Sequence, residues 1–315
     1  MPTSSVGKQP CTLPNQHYSA NVRRPQVSIT TYEKAVWLAL GALISIVITG
    51  SLVRLTGSGL GCSDWPQCNS TRFIDVSSGH AAIEQINRLF TGFVALSVIA
   101  AVALSLLLER PNRRITNNAL LLVLGVIAQV IIGAYVVLTG LNPWTNMVHF
   151  LVSFMLITAA VVLLNRVRIL VNGPQTIDVQ DSAIKWGLFW SAIVSVVLGT
   201  VVTGSGPHSG AEAVTRLDIS VRLATQLHSI SVWITVAISA VLAIRSRRSS
   251  ARWAVEGSRV LFLLFALISQ GFIGYVQYFA GVPTHLVAIH IAGSIMVWIA
   301  VLAVFLPITR LNVLD

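Results

Sequence analysis

Residues 125–149 read GVIAQVIIGAYVVLTGLNPWTNMVH, and residues 266–290 read ALISQGFIGYVQYFAGVPTHLVAIH. Both run from a glutamine through two glycines to a histidine. Gln129/Gln270, Gly133/Gly274, Gly140/Gly281 and His149/His290 are each 141 positions apart. The same offset pairs Gln85 with Gln226 and sets Asn87 opposite His228. TGSG also occurs twice, at 56–59 and 203–206. Chance gives one matched pair in apolar sequence easily, but not five at one offset. The chain therefore reads as a duplication, and because both halves share one direction, the axis relating them lies along a membrane normal.

A membrane is required by the composition around these segments. Hydrophobic residues make up 54% of the 315 residues and charged ones only 10%, with a mean hydropathy of +0.77. A soluble domain of this size needs more charge to cover its surface. A spanning helix takes about 20 mostly apolar residues, and eight stretches qualify: 35–53, 84–108, 119–140, 144–164, 184–203, 221–244, 260–280 and 285–306. The fold class is thus an all-α membrane protein of eight transmembrane helices in two duplicated four-helix bundles. The expected organisation is a disordered leader over 1–33, a first half over 34–170, a linker over 171–183 and a second half over 184–315. The leader is rich in Ser, Thr, Pro and Asn and has no acidic residue before Glu33. The first apolar run is too long for the core of a cleaved signal peptide.

The net charge of +10 invites a nucleic-acid reading, but the basic residues lie in short loops between apolar runs. With the N-terminus inside, 16 of the 21 Lys and Arg fall on the inner side; Arg54, Arg72, Arg88, Arg216 and Arg222 stay on the outer side. Positive loops remain cytoplasmic, which places both termini inside.

His149, His228 and His290 then sit within even-numbered helices, about two turns from the outer end. A lone intramembrane histidine often does no more than bond a neighbouring helix. Two at equivalent depths in the second and fourth helices of one half can instead clamp a planar metal macrocycle between them. A copper site would be expected to add Cys or Met nearby, and none is close.

Several strings together resemble the haem A synthase family: TGSGLGCSDWPQC (56–68), EQINR (84–88), GLNPWTNMVHF (140–150), VVTGSGPHSG (201–210), QLHS (226–229) and VAIHIAGS (287–294). The resemblance implies eight helices in two halves and oxidation of a ring methyl of haem O to a formyl group, which makes haem A for terminal cytochrome oxidase. It implies haem b, an iron cofactor, held between His228 and His290. The first half is then the substrate site, with a Glu-x-x-His-Arg motif and His149. The implied partners are haem O and haem A, the lipid bilayer, haem O synthase, oxidase assembly proteins and an electron donor, with self-association open and no nucleic acid. The implied location is a plasma membrane of bacterial type rather than the mitochondrial inner membrane.

The chain departs from that motif once. Asn87 stands where the family has its first histidine, beside Arg88, and an amide oxygen is a weak iron donor compared with imidazole. Haem O here would have His149 as its one strong axial ligand, which leaves two readings, a damaged site or an iron with an open face suited to oxidative chemistry, the second favoured because Glu84 and Arg88 remain. Glu84 lies one turn nearer the outside on the same helix face, placed for proton transfer. The blander roles for Glu84 are a helix N-terminal carboxylate or an i,i+4 partner of Arg88. Arg54, Arg88, Arg216 and Arg222 suit haem propionates or simple interfacial snorkelling. Cys62 and Cys68 flank five residues in the first outer loop, which leaves both a structural disulfide and a redox pair open. The family carries a pair in this loop; the second half of this chain lacks the counterpart that some members have. His80, His208 and His285 read as interfacial. The other classes to weigh are a di-haem electron-transfer cytochrome and a non-catalytic haem carrier.

Overall fold

The computed structural model describes residues 26–172, 181–208, 210–211 and 214–306. Within them lie eight helices and no strand: α1 (Ile29–Leu55), α2 (Gly79–Leu106), α3 (Arg113–Leu138), α4 (Pro143–Asn172), α5 (Ser182–Ser205), α6 (Val221–Arg247), α7 (Ser250–Phe279) and α8 (Thr284–Phe305). All eight are long and apolar enough to cross a membrane. Large apolar side chains face outward along them, Phe279 79% and Phe272 70% exposed, as lipid allows and water would penalise.

The helices outrun the hydropathy-based ranges because polar residues start them. Ser28, Ser78, Asn112, Ser220 and Ser249 each accept a backbone N–H of the first turn, which satisfies donors the helix cannot. Helix α7 consequently begins ten residues before the expected 260. Residues 29–33, read as leader, are helical, as are 171–172 and 182–183 at the edges of the expected linker. Linker residues 173–180, leader residues 1–25 and Arg310 lie outside the described residues, and Asp181 stands at the N-cap of α5.

Packing closes two rings of four. Helices α1, α2, α3 and α4 touch in the order α1–α2–α3–α4–α1, and α5, α6, α7 and α8 repeat that order. Helices α2 and α4 therefore lie diagonally across the first ring, as do α6 and α8 across the second. The equivalence is compatible with duplication. The rings meet through α1, α4, α5 and α8, where an aromatic cluster fills the joint. Trp298 of α8 packs between Phe154 of α4 and Phe189 of α5, with ring centres 5.9 and 5.8 Å away, and its indole N–H donates to Thr158 Oγ1 at 2.9 Å. Phe305 stacks on Phe189 at 4.5 Å.

The two ends of the molecule differ. One carries the long connections 56–78 and 206–220, and there the halves are tied through backbone: Gly59 N–H donates to Gly210 O at 3.1 Å. The opposite end carries paired charges, with Glu256 bound to Lys185, and Asp181 bound to Arg245 and Arg252 at 2.8 Å each. This end also carries Glu33, paired with Arg168, and Glu109, but among the described residues basic side chains outnumber the acids there, including Arg110, Arg113, Arg114, Arg166 and Arg248.

Candidate haem-binding site

Each even-numbered helix carries one candidate ligand position, and each rests on a glycine of the preceding odd-numbered helix. A methyl built on Gly133 would meet His149 Cε1 at 3.4 Å; on Gly199, His228 Cε1 at 3.3 Å; on Gly274, His290 Cε1 at 3.1 Å. At the fourth position a methyl on Gly50 would lie 3.8 Å from Asn87 Nδ2. The glycines let a ring lie against the neighbouring backbone, the close approach that small residues allow between membrane helices. Gly133 and Gly274 stood out in the sequence as repeat partners, but their purpose shows only in three dimensions.

The glutamines of the repeat fix the histidine backbone. Gln129 Nε2 donates to His149 O at 3.0 Å and to Ser153 Oγ at 2.6 Å, and Gln270 Nε2 donates to His290 O at 2.7 Å. Each glutamine thus pins the histidine-bearing helix to its neighbour.

His228 and His290 come together, with ring centres 6.5 Å apart and planes at 77°. The Ser195 carbonyl, 2.9 Å from His228 Nδ1, can only accept, so Nδ1 carries the proton and Nε2 keeps its lone pair. No described residue bonds Nε2 of His149, His228 or His290, and Nδ1 of His149 and His290 is buried without a partner. Imidazole nitrogens bond metals at about 2 Å, so two rings sharing one ion have centres roughly 6 Å apart. The pair fits that spacing. Among the described residues no three His, Cys, Asp or Glu converge on one point. Two imidazoles without further protein donors suit a metal whose other ligands come from a macrocycle.

In the first half, Asn87 is held by α1: its Oδ1 accepts from Thr49 Oγ1 at 2.8 Å. Glu84 is 6% exposed, and both its oxygens are taken. Oε2 accepts the Cys62 N–H at 2.8 Å, while Oε1 accepts Arg88 Nη2 at 2.6 Å and Nε at 3.1 Å. Arg88 also donates to the carbonyls of Asp64 and Gln67. The i,i+4 partnership is therefore real, and it serves a larger purpose. Glu84 and Arg88 anchor the loop that Cys62 and Cys68 close with a disulfide. Both sulfurs are buried against Ala81. Sequence reading missed this anchor, because nothing local joins Cys62 to a residue 22 positions away. Farther along the loop, Asp75 accepts from Ser77, Arg72 and Asn69, bonds that hold its carboxyl down at about 2.

Two other histidines tie loops. His80 Nδ1 pairs with Ser58 Oγ at 2.9 Å, and His208 Nε2 donates to Val282 O at 2.7 Å.

Comparison with known proteins gives the family. Residues 33–217, more than half of the chain, match the COX15-CtaA family, described as cytochrome oxidase assembly protein. The chain belongs to that family. Heme A synthase of Lysinibacillus sphaericus is 30% identical over 177 residues, covering 54% of this chain and 56% of the relative. Heme A synthase of Listeria welshimeri is 36% identical over 134 residues, 41% and 43% of the two chains, and that of Geobacillus kaustophilus 34% identical over 104 residues, 33% and 32%. The matched region spans about half or less of these COX15-CtaA relatives' length.

Proposed function

We propose that this protein is a haem A synthase that oxidises a ring methyl of haem O to a formyl group, working in a plasma membrane of bacterial type with both termini inside. The observation that carries the reading is the fourfold set of glycine seats, three bearing a histidine and the fourth Asn87. The second half would hold a resident haem b between His228 and His290. The first half would take haem O on His149, with Asn87 opposite. Haem iron would supply the redox chemistry. The chain's own contribution is to orient imidazoles, leave one face of the substrate without a strong protein ligand, and keep the Glu84–Arg88 pair under the disulfide loop one turn from Asn87. Glu84 would handle protons from that place as the methyl is oxidised. Products would pass to oxidase assembly, and haem O would come from its own synthase.

The test is direct. Full-length protein made alongside a haem O source should yield extractable haem A together with haem b. Haem b alone, with haem O returned unchanged, would make it an electron-transfer or carrier protein instead.

A further inference from the structure

The halves join beside the two TGSG segments, through Gly59 to Gly210 and Arg54 to Thr203, and one side chain there lacks a counter-charge. Arg54, in the last turn of α1, reaches across to the second half and donates from Nη2 to Thr203 O at 2.9 Å. Its Nε is buried and has no hydrogen-bond partner, and among the described residues no carboxylate pairs with it. Gly210 packs on its stem, where a methyl would meet Arg54 Cγ at 3.4 Å. A guanidinium nitrogen shut away from water without a partner is costly, and an anion beside it offsets that cost. The Thr203 carbonyl is only a partial answer, one acceptor for five N–H donors.

Position says what anion would complete it. Arg54 lies four residues beyond Gly50, hence one turn toward the long-loop end on the same helix face as the Asn87 seat. Thr203 lies four residues beyond Gly199, the seat of His228, and Thr203 Oγ1 bonds Gly199 O. One cation therefore stands a single turn above a ligand seat in each half. The other arginines at this end are committed or exposed: Arg72 to Asp75, Arg88 to Glu84 and two carbonyls, Arg216 to Pro207 O at an exposed site, and Arg222 on the outer surface.

We propose that Arg54 receives a carboxylate of the macrocycle held between His228 and His290, as a positioning residue supplied by one half to the ligand of the other. This rests on the haem reading above. Charge and geometry agree, since a guanidinium edge offers parallel N–H donors to a carboxylate. An ordinary structural role, Arg54 as a cation at the C-terminus of α5, would use the same Thr203 bond but needs no ligand.

Titration of the full-length apoprotein with ferric protoporphyrin IX and with its dimethyl ester separates these. The ester keeps the iron and ring but loses the charge. The parent should bind the diacid roughly 10- to 100-fold tighter than the ester. Arg54→Gln should bring the two to near parity by weakening the diacid alone, and Arg54→Lys should keep part of the preference. Parity already in the parent would overturn the proposal without any variant. So would an Arg54→Gln that keeps the preference, or one that weakens both rings equally, the signature of a joint that has merely loosened. A parent that binds neither ring would instead defeat the haem reading itself, and this inference with it.

Discussion

In the second half, methyls placed on Gly274 and Gly199 would press on His290 and His228 at 3.1 and 3.3 Å; in the first, the same exercise at Gly133 and Gly50 gives 3.4 and 3.8 Å. His228 is further fixed by the Ser195 carbonyl, an anchor that the Nδ1 atoms of His149 and His290 both lack. The same fourfold plan is therefore tight and doubly furnished on one side, roomier and singly furnished on the other. Only the roomier side has the disulfide loop pinned onto it by Glu84 and Arg88. On the proposed reading, the tighter seat suits a group that stays, and the looser one a group that must enter, react and leave.

The comparison breaks first at the histidines. If the proposed reading holds, the purified protein should show a low-spin haem b spectrum, and replacing His228 and His290 together by Ala should remove it while the protein stays membrane-inserted; an unchanged spectrum would exclude the pair as ligands. Next is Glu84→Ala, expected to cut haem A yield by roughly 10²- to 10⁴-fold, with haem O still bound. Glu84→Gln keeps an acceptor for the Cys62 N–H, so it should be nearly as inactive if proton handling is the role. Recovery in the Gln variant would reduce Glu84 to an anchor for the loop. Asn87→His should make the first half imitate the second. Its haem should become six-coordinate and low-spin, with slower turnover, and a parent already low-spin at both sites would remove the asymmetry altogether. The smallest effect tests seat tightness. Gly274→Ala should perturb the His290-ligated spectrum, while Gly133→Ala should be nearly silent; equal responses would mean that the 0.3 Å difference between the seats is immaterial.

Much of this was legible in one dimension. Eight spans follow from apolar length, and the His149 and His290 seats share a repeat offset that also marks Gln129, Gln270, Gly133 and Gly274. The Gly50 and Gly199 seats were invisible, since they stand 149 rather than 141 positions apart and nothing local marks a glycine that receives a ring from another helix. The early start of α7 was hidden because its first turns carry Arg252, Glu256 and Arg259, which a hydropathy window rejects although Glu256 is buried against Lys185. The Glu84 carboxylate drew the right partner, Arg88, from i,i+4 spacing, but its second oxygen answers to a loop that no periodicity describes.

The joint between the halves is fastened twice, by backbone and Arg54 near the long loops and by the Phe154–Trp298–Phe189–Phe305 stack toward the other end. Two fasteners at different heights resist a hinge between the halves. On the proposed reading, ligand seats carried on such a frame would keep their spacing while one ring stays and the other comes and goes.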